Sequence, residues 1–220
     1  MSQTAQRKSH YIRPRAASRV FKAAKHSQSS SRPLNYLVTL NFNHTTCPHE
    51  RASQATSEIA SKFGRWLRYQ SAKSIKAGGS TYGAPAYVTV IENPNNIHHV
   101  HWLVHVPDEL MRLFAKTVPT WLTKAAGEIT APSGAIDIRP VATVMATSRY
   151  LMKGVEKHYA RRCFVRPEDQ GMVLGKRVSV SRSLGHAARQ RHGAHQTQLA
   201  PVSTRGGTSD PAPNVPSVLS

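Results

Sequence analysis

A chain of 220 residues with 30 Lys and Arg against 11 Asp and Glu carries a formal charge of +19, beyond what solubility requires and suited to a polyanionic partner. No apolar run approaches the about 18 residues that cross a bilayer, and the N-terminus lacks the apolar stretch of a secretory signal. The expected setting is therefore cytoplasmic, with no membrane partner, and Cys47 and Cys163 read as reduced, structural thiols rather than a zinc cluster or disulfide framework.

In chain order, residues 1–33 hold eight Lys or Arg, no acid and a Ser-rich run, which predicts a basic, flexible arm. Tyr36 to Phe42 is short, β-branched and aromatic, and reads as a strand. Ala52, Ala55, Ile59, Phe63, Trp66 and Leu67 follow at helical spacing after the start signals Thr46 and Pro48, and Gly78-Gly79 ends the run. Ala86–Glu92 and Ile97–Val106 read as two strands joined by the turn-like Asn93-Pro-Asn-Asn96. Pro107-Asp108 opens a second helix that Pro119 is placed to bend or interrupt. Ile136–Ile138 is a short fourth strand, and a third helix is expected over Thr143–Tyr159.

The order β-α-β-β-α-β-α predicts an α+β fold: an antiparallel sheet in split βαβ (ferredoxin/RRM-like) order, covered on one face. Residues 34–185 form the folded domain, ending in an accessory basic segment, Gly175 to Arg182. Within it Lys176, Arg177 and Arg182 are candidate phosphate contacts. Residues 186–220 lose apolar periodicity and are expected to be disordered. Since many functions share this architecture, the site has to decide among them.

Four histidines fall in His98-His-Val-His-Trp-Leu-Val-His105. Alternation along a strand puts Val100, Trp102, Val104 and Val106 on one wholly apolar face and His99 and His101 together on the other. A lone histidine there would read as an exposed polar position, but two in register can converge on one divalent ion. His98 lies on the wrong face, and His105 is too far along the strand. Phosphate-handling metal sites also use oxygen ligands. Glu92 ends the strand that the hairpin pairs with the histidines, and could either ligate the same ion or be a solvated strand-end charge. Asp137 is a weaker substitute.

On the expected third helix, Val144, Met145, Leu151, Met152, Val155 and Tyr159 form the apolar stripe. Tyr150 lies off it with Lys153 and Lys157 at i+3 and i+7, a tyrosine beside two cations that can approach phosphate.

Together these residues resemble the HUH endonuclease superfamily, over about residues 34–160. Its signatures occur in order: a first strand like Val38-Thr-Leu-Asn-Phe42, a His-hydrophobic-His strand at His99-Val-His101, and Tyr-x-x-Lys at Tyr150 to Lys153. The resemblance implies site-specific nicking of single-stranded DNA at a replication origin, starting rolling-circle replication of a plasmid or phage. It assigns His99 and His101, with Glu92 as third ligand, to Mg²⁺ or Mn²⁺ that polarises the scissile phosphate. It makes Tyr150 the nucleophile, forming a 5′-phosphotyrosine, and Lys153 the residue that neutralises or positions the phosphate.

Gly154 stands where two-tyrosine members carry their second tyrosine, which suggests a single-tyrosine enzyme. No Gly-x-x-x-x-Gly-Lys-Ser/Thr loop occurs, so a separate host helicase is the expected partner for strand separation. Relaxases and single-strand transposases share the same site chemistry. From another class, a non-catalytic basic nucleic-acid-binding module would use the same sheet order, with exposed strand aromatics if it reads RNA.

Overall fold

Phe63, Trp66, Trp102, Phe114 and Trp121 come from three separate stretches of sequence and meet ring against ring: Phe63 to Trp102 at 5.2 Å between centroids, Trp66 to Trp121 at 5.7 Å, and Phe114 to Trp121 at 5.8 Å. Full burial of each such side chain is worth about 1.5–3 kcal/mol, so this cluster anchors the elements that carry it. The computed structural model describes residues 7–191. Its strands and helices run β1 (Lys8–Ser9), α1 (Pro14–Ser29), β2 (Tyr36–Asn41), α2 (Ala52–Lys76), β3 (Tyr87–Glu92), β4 (His99–Val104), α3 (Met111–Ala126), β5 (Ile136–Pro140), α4 (Val144–Leu151), α5 (Lys157–Cys163), β6 (Val173–Leu174) and β7 (Val178–Val180).

The architecture is α+β. Five antiparallel strands in the order β5-β2-β4-β3-β7 form the sheet, and β1 pairs with β6 apart from it. Within the sheet, β2 and β3 flank β4, which is the split βαβ arrangement read from the sequence. The helix that follows β2 ends at Ala77, and Gly78 (φ +80°) takes the left-handed turn that stops it. Pro119 is accommodated inside α3, which runs unbroken from Met111 to Ala126.

One face of the sheet presents Val38, Leu40, Ile91, Val100, Trp102 and Val104 to α2 and α3. The other face is covered as well, contrary to the one-sided sheet expected. Val88, Val90 and Leu103 pack there against Ala17, Val20, Ala23 and Ala24 of α1, with Val144, Leu151 and Met152 from α4 and the turn after it.

Of the expected flexible arm, residues 1–6 lie outside the described part of the chain, and residues 7–33 are not simply flexible. Pro14 at the first helical turn starts a 16-residue helix whose buried stripe is Ala17, Val20, Ala23, Ala24 and Ser27. The expected helix over Thr143–Tyr159 is two helices with a turn between them. Ile12 N–H donates to the Gly154 carbonyl at 2.7 Å and Glu168 N–H to the Lys153 carbonyl at 2.7 Å, so these acceptors serve other segments instead of a continuing helix. Any side chain at 154 would also strike Gln170, because a Cβ there would come within 2.9 Å of its Cγ.

The basic segment 175–182 is partly a fifth strand, β7, paired with β3 from Val178 to Val180. Residues 186–191 of the expected disordered tail are helical, and residues 192–220 lie outside the described part of the chain. Both cysteines are free. No helix among the described residues is long and apolar enough to cross a membrane.

Candidate functional site

Register places the metal-site candidates before any side chain is considered. Glu92 on β3 is directly opposite His99 on β4, and His101 lies two residues further along the same face. The three side chains offer ligand atoms that all lie within 4.8 Å of one another. Glu92 Oε2 is 3.5 Å from His99 Nε2 and 3.3 Å from His101 Nε2. Two ligands on one ion, bonded at about 2.1 Å, stand about 3.0–3.4 Å apart, so this spacing suits shared coordination. His101 Nε2 and both Glu92 oxygens are buried without an aligned hydrogen bond, the condition of atoms shaped to receive an ion. This buried Glu92-His99-His101 group could therefore hold a metal ion.

Electrostatics keep the carboxylate in its ligand form. Burial of Glu92, which is 1% exposed, would by itself raise its pKa. Polar contact with His101 and His99 and the charge of Lys153 overcome that and hold it at about 2. Behind the cluster, Thr39 on β2 faces His101, its Oγ1 3.1 Å from Nδ1. When that Nδ1–H donates to the hydroxyl, the Nε2 lone pair is free to bind a cation shared with Glu92. Sequence reasoning misses Thr39; the split βαβ order, which lays the first strand beside the third, is the signal that could find it.

The tyrosine helix completes the site. Lys153 Nζ is 3.1 Å from Glu92 Oε2 and 3.4 Å from the Tyr150 hydroxyl, and sits 4.6 Å from the centroid of the Tyr150 ring. Burial works against the Lys153 ammonium, but the Glu92 charge and the Tyr150 hydroxyl more than offset it, leaving its pKa above the ordinary lysine value. Tyr150 is 49% exposed, and its ring meets the His101 ring edge-on at 5.5 Å. A positive charge thus stands between a carboxylate and an accessible phenol, next to two imidazoles.

Other expected residues fall elsewhere. Lys157 is exposed but opens α5, so the break after Leu151 removes it from the face that Tyr150 and Lys153 share. Lys176 and Arg182 are exposed, as a phosphate contact requires. Arg177 is not: it is 4% exposed and spent on backbone carbonyls, donating to Ser9 at 2.8 Å, to Gln170 at 3.3 Å and to Gly171. Burial lowers its pKa to about 10, against the opposing pull of Glu92 and Asp169. It is a structural cation that ties the N-terminal segment to the β6–β7 region.

His98 sits where β4 begins, buried against His49, and burial with the neighbouring charges of His49, His99 and Arg177 lowers it to about 4. His105 bonds the Pro33 carbonyl at the far end of the strand, and Asp137 pairs with Arg139 at 2.7 Å. Neither joins the cluster. The histidine-bearing face lies under α1 and α4, and among the described residues its strands present no open aromatic platform of the kind that RNA-binding sheets use.

No family model matches the sequence, and no curated protein matches it either. The site's own geometry has to carry its interpretation.

Proposed function

We propose that this protein is a metal-dependent, single-tyrosine nickase of single-stranded DNA of the HUH type, acting at an origin of rolling-circle replication. One observation carries the reading: the exposed Tyr150 phenol, the Lys153 ammonium and the Glu92-His99-His101 group converge within hydrogen-bonding and ion-pair distances where the interior strands β3 and β4 meet at the hairpin end. Bound by His99, His101 and Glu92, Mg²⁺ or Mn²⁺ supplies Lewis-acid withdrawal of charge from the scissile phosphate.

The chain's own groups do the rest. Tyr150 is exposed enough to reach a phosphate, and its oxygen forms the new bond to phosphorus while the bond to the 3′-oxygen breaks. The phenolic proton is balanced by the proton gained at the leaving oxygen, so the products are a 5′-phosphotyrosine and a free 3′-hydroxyl that can prime synthesis. Lys153, already beside the phenol, offers its charge to the phosphate oxygens as negative charge builds on them. The reaction conserves phosphodiester energy and is reversible, which is what strand joining at the end of a replication round needs.

The test uses the full-length chain, Mn²⁺ and a pool of single-stranded oligonucleotides with a randomised centre, labelled at the 3′ end because the 5′-phosphate side stays on the protein. Denaturing electrophoresis should show a labelled adduct, and peptide mapping should place it on Tyr150. Tyr150→Phe should form none. An adduct on another tyrosine, or cleavage by Tyr150→Phe at the wild-type rate, would remove Tyr150 from the mechanism.

A further inference from the structure

The start of α1 and the turn between β6 and β7 enclose a cleft of about 330 Å³ whose lining includes Arg7, Arg13, Arg15, Arg19 and Lys176, and no acidic residue. All five cations are exposed, and none forms an ion pair among the described residues. Arg15 and Arg19 stand one helical turn apart on α1, where like charges repel and cost helix stability unless an anion lies between them. Tyr11 also lines the cleft, 44% exposed, an aromatic surface left open among cations.

Backbone bonds join this cleft to the site already described. Ile12 N–H donates to the carbonyl of Gly154, the residue after Lys153, and Glu156 N–H donates back to the Ile12 carbonyl at 3.1 Å. On the other wall, the Arg177 carbonyl accepts from Ile91 N–H at 2.8 Å, one residue before Glu92. The buried Arg177 side chain, bonded to Ser9, holds the two walls together. The backbone of the cleft's walls is therefore bonded directly to the residues that follow Lys153 and precede Glu92 in the chain.

We infer that this cleft is the track for the sugar–phosphate backbone of a single strand approaching Tyr150, with Tyr11 as a stacking surface for one of its bases. Closely spaced cations with an exposed aromatic are the combination by which sequence-tolerant single-strand binders work. The direction of the strand toward Tyr150 rests on the nickase reading; binding itself does not.

The experiment measures fluorescence anisotropy of a labelled oligothymidylate of about twenty nucleotides with the full-length chain, between about 50 and 200 mM salt. Arg15→Ala with Arg19→Ala should lower the slope of log K against log salt by about 1.4, or about 0.7 for each phosphate that is no longer neutralised. Arg65→Ala with Arg68→Ala, on exposed positions of α2, removes the same charge and should leave the slope unchanged. Tyr11→Ala should weaken binding about tenfold without changing the slope, and Tyr11→Phe should restore it.

Equal slopes for the two arginine pairs would overturn the inference, as would equal affinity for duplex or a preference for anionic vesicles over the oligonucleotide. Circular dichroism melts confirm that each variant is folded. Tight, cleft-dependent binding by a wild type that forms no adduct would sink the nickase reading and leave the cleft. Adduct formation together with unaltered binding in the cleft variant would sink the cleft alone.

Discussion

The two faces of the sheet are built from different materials. On the α2/α3 face large rings interlock, with Phe63, Trp102 and Phe114 fully buried and mutually in contact. On the α1/α4 face the apolar contacts are made mostly by alanines, valines and leucines, and Glu92, His99 and His101 share that face at the hairpin end of β3 and β4. A ring-filled face fixes the geometry of β3 and β4 from behind, so the opposite face can carry unpaired polar atoms at that end without losing register. The ring-filled core and the candidate metal-binding group thus occupy opposite sides of the same two strands.

The sharpest way to break that division is to remove both ring ligands. His99→Ala with His101→Ala should reduce nicking to background while the urea midpoint stays near wild type, since neither side chain touches the aromatic cluster. A large loss of stability would show that the site face is structural after all. Trp102→Ala, on the same strand but the other face, should cost about 3–5 kcal/mol of unfolding free energy in denaturant titrations.

Arg177→Ala should cost about 1.5–3 kcal/mol, because it strips charged hydrogen bonds from buried carbonyls. Its exposed neighbour in the basic segment, Arg182→Ala, should stay within about 0.5 kcal/mol. Equal effects would contradict the separation of the two arginines. The smallest change chemically is Thr39→Val, which keeps the volume and deletes the hydroxyl beside His101. Calorimetric titration with Mn²⁺ should show affinity lower by about 10–100-fold with little change in thermal stability.

The same contrast explains what could be read from the sequence. Strands β2 to β5 and helices α2 and α3 were legible because large apolar residues recur at period 2 or 3.6 and face one core. His99 and His101 followed from alternation opposite Val100, Trp102 and Val104, and Glu92 followed from the hairpin. Helix α1 carried a legible signal, since Ala17, Val20, Ala23 and Ala24 recur at helical spacing on one side of a strongly amphipathic segment, but the density of arginines and lysines and the serine run after it point instead to a solvated arm.

The break after Leu151 was hidden for another reason. Nothing local in Met152-Lys-Gly-Val155 forbids a helix, and the turn there is held by Ile12 and Glu168, residues distant in sequence that donate to the Gly154 and Lys153 carbonyls. Arg177 shows the same limit: in a run of basic residues nothing local distinguishes the cation that is buried from those that are not.

The hydrogen bond from Arg177 to the Ser9 carbonyl joins residues 168 apart, and β1 pairs with β6 near the same point. Such closure is entropically late, since the intervening chain must be in place before the bond can form. During synthesis the first helix emerges long before the segments it clasps, and β2 to β5 can assemble around their rings while the N-terminal segment waits. The bordering cleft and the turn after Lys153 are then completed last. A chain ended before β6 would lack the partners of this clasp, the β1–β6 pairing and the Arg177 hydrogen bonds, even with β2 to β5 in register.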